Sequence, residues 1–193
     1  MTSTPEYQET QFTVLSGLAE RIRAGMTELE HMYQQHSVGA VAWATRNLLE
    51  LLVWVLYCKK DPTNAEEFYK DSYRDLLDIY KKLPDSYSRD PNSFSFAKEH
   101  KNLIEVAQKN QIYNVEGRFT DIRVVAKELG LDDYSIHYMM LSKFAHPTAL
   151  EIFAPRAEED DKYFKKMFYD NGLRYGHTAL LEIGDVLRKQ PFK

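Results

Sequence analysis

The stretch Val38-Gly-Ala-Val-Ala-Trp-Ala-Thr-Arg-Asn-Leu-Leu-Glu-Leu-Leu-Val-Trp-Val-Leu-Tyr-Cys-Lys-Lys60 decides the fold. Its apolar residues fall on every side of a helical wheel, which predicts a helix buried inside a bundle rather than one lying on a surface. It is nearly long enough to span a bilayer. Arg46 and Glu50 sit at its centre, however, where each would cost about 2.5–3.5 kcal/mol on insertion, so a core helix is the better account. The two charges are four residues apart and share one helix face. In an apolar helix they need partners within the fold, as a buried ion pair or as the floor of a polar pocket.

Outward from this helix, the chain keeps helical spacing and shows no strand pattern. Thr4-Pro5 reads as a cap followed by proline at the first helical position, and Phe12, Leu15, Ile22, Met26, Leu29 and Tyr33 recur at helical intervals behind it. Lys59-Lys60-Asp61-Pro62 ends the second helix, and Thr63-Asn-Ala-Glu66 reads as a capping box opening a third that runs to about Lys82. A loop with two prolines follows, then a fourth helix from Phe94 to Asn110. Thr120 to Leu129 reads as a short fifth helix stopped by Gly130, with Asp132 or Asp133 capping a sixth that ends at His146-Pro147. A long last helix runs from Glu158 to Arg188. Its Gly172, Gly176 and Gly184 are each unfavourable by about 1 kcal/mol relative to alanine, which predicts close packing against a neighbouring backbone.

The expected architecture is therefore all-α: one domain over residues 1–193, a bundle of six to seven helices around a buried apolar second helix. Composition agrees. Glycine and proline number 8 and 7 in 193 residues, below the usual share, and 44% of residues are hydrophobic. The single cysteine, Cys58, excludes an intramolecular disulfide and suits a reducing compartment. The N-terminal residues carry neither a basic nor an apolar leader, which points to the cytoplasm. The net charge is −4, and each third of the chain is slightly acidic, so nothing concentrates cations for nucleic acid. The long terminal helices predict that the chain ends pack together or against a second copy, as in a homodimer.

Candidate chemistry gathers in two places. Beside Arg46 and Glu50, the sixth helix carries Tyr134, Tyr138, Ser142 and His146 at intervals of four, a stripe drifting about 40° per step. Tyrosines spaced so commonly pack in a core with their hydroxyls satisfied. A working histidine would need a partner to set its tautomer, and Glu50 or Ser142 could serve. We expect Arg46 and Glu50 to meet the Ser142/His146 end of this stripe in the interior, where removing Glu50 would cost about 3–5 kcal/mol. Arg174 and His177 share a face of the last helix but form no larger group. The segment Val125-Ala126-Lys-Glu-Leu-Gly130 to Ile136 has helix-turn-helix spacing, yet its second helix starts with Asp132-Asp133 where phosphates would lie. A DNA-binding role is thus the weakest of the alternatives. No metal-ligand or phosphate-loop motif occurs, so no metal or cofactor is expected.

Arg46-Asn-Leu-Leu-Glu50, followed by Ala126-x-x-x-Gly130-Leu, the Tyr134/Tyr138/Ser142 stripe and His146-Pro147-Thr148, resembles an all-helical, mainly bacterial family of unknown function. The resemblance implies that Arg46, Glu50, Ser142 and His146 belong together in the fold. A more distant similarity is to HEPN-type helical ribonucleases and their abortive-infection relatives, whose motif is Arg, often Asn, and a nearby His. Arg46-Asn47 matches its start, but Glu50 stands where the histidine would fall. The resemblance implies either a binding or assembly module in phage defence or stress, with a protein or small-molecule partner, or a metal-independent ribonuclease using Arg46, Glu50 and a borrowed His146.

Overall fold

The structure, a computed structural model, describes residues 5–83, 95–109, 120–146 and 157–189. Among these lie seven helices and no strand: α1 (Pro5–Gln35), α2 (Val38–Lys60), α3 (Pro62–Lys82), α4 (Phe96–Lys109), α5 (Ile122–Glu128), α6 (Tyr134–Ala145) and α7 (Glu158–Leu187). The chain divides into two compact units, Met1–Ala65 with Ile122–Lys193, and Glu66–Asp121.

In the first unit α1, α2 and α7 pack mutually, and α5 and α6 lie against α2. Leu15, Ile22 and Leu29 of α1, Val41, Leu48 and Val53 of α2, and Phe168 of α7 are fully buried. Burying such side chains is worth about 1.5–3 kcal/mol each, enough to hold long helices whose isolated stability would be marginal. α2 is the apolar helix its sequence predicts, but it is half buried rather than enclosed. Its neighbours cover part of its circumference and leave Trp43 exposed. By length and composition it is also a helix that could cross a membrane.

The glycines of α7 divide by environment. A Cβ on Gly172 would stand 2.6 Å from Leu29 Cδ2 and 3.0 Å from Thr45 Oγ1, and one on Gly176 would stand 2.7 Å from Met26 Sδ. Both therefore let α7 approach α1 closely. Gly184 is different: among the described residues only Arg188 Nη2 lies near, at 4.0 Å, so close packing against them does not explain that glycine.

Polar side chains fasten the helix ends. Gln11 Nε2 donates to the carbonyls of Cys58 at 2.7 Å and Lys59 at 3.4 Å, reaching across from α1 to the last turn of α2. Such carbonyls have no acceptor role left within their own helix. Thr45 donates its hydroxyl to the Phe168 carbonyl at 3.0 Å in the core, and Lys59 pairs with Glu182. Burial pushes the Cys58 thiol up to about 12, so it stays protonated and serves as packing. The cap of α3 differs from the expected box. The helix begins at Pro62, and Asp61 Oδ1 accepts from the Thr63 N–H at 2.9 Å and from its hydroxyl at 2.8 Å. Glu66 instead turns to Lys70, at 2.8 Å. Proline at the first helical position, preceded by Asp61, is the stronger start signal.

In the second unit, Leu77 of α3 and Ala107 of α4 form a small core with Tyr73, Leu103 and Ile104. Arg74, itself buried, donates to Asp71 at 2.6 Å and Glu67 at 3.2 Å, and Asp71 also accepts the Thr120 N–H at 3.2 Å. This is a structural network that closes the unit.

Candidate functional site

The site is built on the corner between α5 and α6. Gly130 has φ +70°, a left-handed conformation that a residue with a Cβ adopts at a cost. The Leu131 N–H reaches the Ala126 carbonyl and the Gly130 N–H the Lys127 carbonyl, both at 3.0 Å, closing α5 with the bond pattern of a Schellman turn. Asp133 holds the N-cap position of α6 but makes no side-chain cap bond. α6 then runs along α2, which brings the tyrosine stripe to Arg46.

Arg46 is the hub. Its Nε donates to Glu50 Oε1 at 3.0 Å, its Nη2 donates to the Tyr138 hydroxyl at 2.5 Å, and its Nη1 lies 2.7 Å from His146 Nε2. The guanidinium carbon also stands 4.4 Å from the centroid of the Tyr138 ring, within cation–π range. A guanidinium has no acceptor. For the His146 contact to be a hydrogen bond, Nε2 must therefore accept, which places the imidazole proton on Nδ1 and leaves that N–H as a donor.

The structure thus brings together Arg46, Glu50, Tyr138 and His146, with two differences from the sequence expectation. The partner that orients His146 is Arg46, not Glu50 or Ser142; Ser142 Oγ is buried and has no hydrogen-bond partner among the described residues. The cluster is not sealed either. The side chains of Arg46 and Glu50 are 19% and 30% exposed, and His146 is exposed. Water reaches the pair, so the penalty of a fully buried charge does not apply. Glu50→Ala leaves Arg46 two partners and solvent, and is expected to lower unfolding free energy by about 1 kcal/mol in urea titrations rather than the 3–5 kcal/mol of a sealed pair.

Tyr134, Tyr138, Ser142 and His146 all line one cavity of about 790 Å³ in the α5–α6 corner. That volume lies in the range of small-molecule sites. A smaller cavity of about 320 Å³ lies where α2, α6 and α7 meet, with His137 and Tyr175 on its wall. The Tyr175 hydroxyl lies 2.7 Å from His137 Nδ1, and burial raises its pKa. Sequence reasoning missed this pair, because thirty-eight residues separate its members and neither lies in a motif. Arg174, flagged with His177, donates instead to Asn171 at 2.8 Å. Among the described residues no three His, Cys, Asp or Glu side chains converge as metal ligands would.

Fold and site together define an all-helical protein in which an arginine is held by a tyrosine and a histidine that line a ligand-sized cavity. The chain belongs to a family of unknown function, DUF5677, which matches residues 12–164 and so takes in the whole Arg46 cluster. No curated protein and no solved structure matches it.

Proposed function

We propose that the chain is a cytosolic ligand-binding module that captures a small organic molecule in the α5–α6 cavity. The observation that carries this is the set of partners Arg46 holds: the Tyr138 and His146 side chains that engage it also line the cavity, so its charge is linked to the wall through them. A pocket of largely apolar walls with a few convergent polar groups is the usual form of such a site. The phage-defence or stress setting rests on the resemblance of the Arg46, Ser142 and His146 motifs alone.

A thermal-shift screen of small organic compounds on the full chain tests the reading. A ligand present at about a hundred times its Kd should add about 2.7 kcal/mol to stability. Met139→Trp, which adds bulk at the cavity wall, should cancel the gain. Hits unaffected by Met139→Trp would place binding elsewhere and end the proposal.

The second reading, a metal-independent ribonuclease, is favoured by the 2.7 Å contact between Arg46 Nη1 and His146 Nε2. Arg46 would stabilise phosphate charge while His146 takes a proton from the attacking 2′-hydroxyl or gives one to the leaving oxygen. Cleavage of single-stranded RNA in EDTA that disappears in His146→Ala would replace the module by the enzyme. Intact RNA across several sequences would remove the enzyme.

A further inference from the structure

Arg46 decides where the protons of the α6 stripe point. A guanidinium only donates, so the Tyr138 oxygen and His146 Nε2 both act as acceptors toward it. The hydroxyl proton of Tyr138 and the Nδ1–H of His146 are therefore directed elsewhere, and no described residue accepts either. Ser142 stands between the two on the stripe. Its Oγ is buried and makes no hydrogen bond among the described residues, which leaves a third proton without an acceptor there. All three side chains line the same cavity, whose wall also includes the apolar Ala126, Leu131 and Met139. The charge that holds the stripe is itself balanced, because Arg46 Nε meets Glu50 Oε1 at 3.0 Å.

We propose that the ligand of this cavity carries a neutral carbonyl group, as in a ketone, ester or amide, on an apolar body, and that its oxygen is held by donors of the Tyr138/Ser142/His146 stripe. This rests on the binding-module reading and gives it a ligand class. A carbonyl oxygen has two lone pairs and no proton, the complement of a surface with protons to give, and two of the three donors satisfy it. A ligand whose polar group only donates, such as an alkylammonium, finds just the Ser142 oxygen to accept from it. Since Glu50 already balances Arg46, the ligand needs no charge of its own. Arg46 also draws electron density from the tyrosine oxygen and the imidazole, which strengthens their remaining protons as donors. Ser142 reaches the ligand by a change of its χ1 rotamer, and in doing so exchanges an unmet buried hydroxyl for a bonded one.

The test uses 2-acetonaphthone and 2-ethylnaphthalene, which share a skeleton and differ by the carbonyl, in equilibrium dialysis against the full chain. Ser142→Ala and Tyr138→Phe are each expected to weaken the ketone about fivefold, the loss of one neutral hydrogen bond, and to leave the hydrocarbon unweakened. Ser142→Ala touches neither Arg46 nor its partners, and it removes an unmet hydroxyl. Its unliganded melting temperature should therefore equal or exceed that of the unaltered chain, a combination that a merely structural serine would not give. The carbonyl stretch of the bound, carbon-13-labelled ketone should lie below its value in a hydrocarbon solvent and rise in both variants. Ketone affinity indifferent to both variants, ketone and hydrocarbon weakened alike, or tighter binding of 2-naphthoate than of the ketone would overturn the neutral carbonyl. Any of these, with binding still lost in Met139→Trp, keeps the binding module. Absence of binding by both compounds, or binding that Met139→Trp leaves intact, would overturn the module as well.

Discussion

Phe168→Ala is expected to lower the unfolding free energy by about 3–5 kcal/mol, the usual cost of emptying an aromatic site that cannot collapse. Phe168 is fully buried, its ring meets Phe144 at 5.1 Å and Phe164 at 6.1 Å between centroids, and its carbonyl receives the Thr45 hydroxyl. It thereby touches the inner turns of α6 and α2 from α7. Phe144 lies two residues before His146, so the cavity left by the smaller side chain should also loosen the end of α6 that meets Arg46. Urea unfolding reads the first effect. The imidazole nitrogen shifts of His146 read the second and should move toward those of an uncontacted histidine. A stability loss under about 1.5 kcal/mol would mean that the neighbouring rings close over the gap.

Gly172→Val is expected to be nearly as damaging, by about 3 kcal/mol, although valine is the better helix former. Its first added carbon would enter the space of Leu29, which is fully buried, and of Thr45, which is already bonded to the Phe168 carbonyl. Neither can yield without disturbing the α1–α2–α7 core. Gly172→Ala should lose about 1 kcal/mol net, because overpacking outweighs the gain in helix propensity. Gly176→Ala meets only half-buried Met26, an unbranched side chain that can swing aside, and should stay within about 1 kcal/mol of the unaltered chain. Thermal denaturation of the three variants gives the ranking. If Gly172→Ala proves no worse than Gly176→Ala, close helix approach is not what these glycines serve.

Much of this was legible in sequence because it depends on spacing within one helix. The apolar run of α2, the Gly130 turn, the Arg46–Glu50 pair and the common surface of the Tyr134/Tyr138/Ser142/His146 stripe are all local geometry. What depends on how two helices cross was not legible. Sequence reasoning grouped Tyr138, Ser142 and His146 with Arg46 and expected contact at the Ser142/His146 end, whereas the forked guanidinium spans two turns of α6 and engages Tyr138 and His146, passing over Ser142. The exposure of Trp43 has the same origin, since an apolar run specifies no number of neighbours. The Asp61 cap was legible and was overlooked, because Pro62 is equally good as the end of one helix and the beginning of the next.

The amide of Gln11 has a consequence for assembly order. Two long apolar helices can slide along one another by a turn and still bury comparable surface, which is how bundles fall into wrong alignments. A slip of α1 by one turn would carry Gln11 about 5.4 Å from the end of α2. The Cys58 carbonyl would then be deprived of its donor inside a dry core, at about 1–3 kcal/mol. One side chain, forty-seven residues away from the carbonyl it meets, thus acts as an index pin. It makes the correct alignment of α1 the one in which the chain stops sorting.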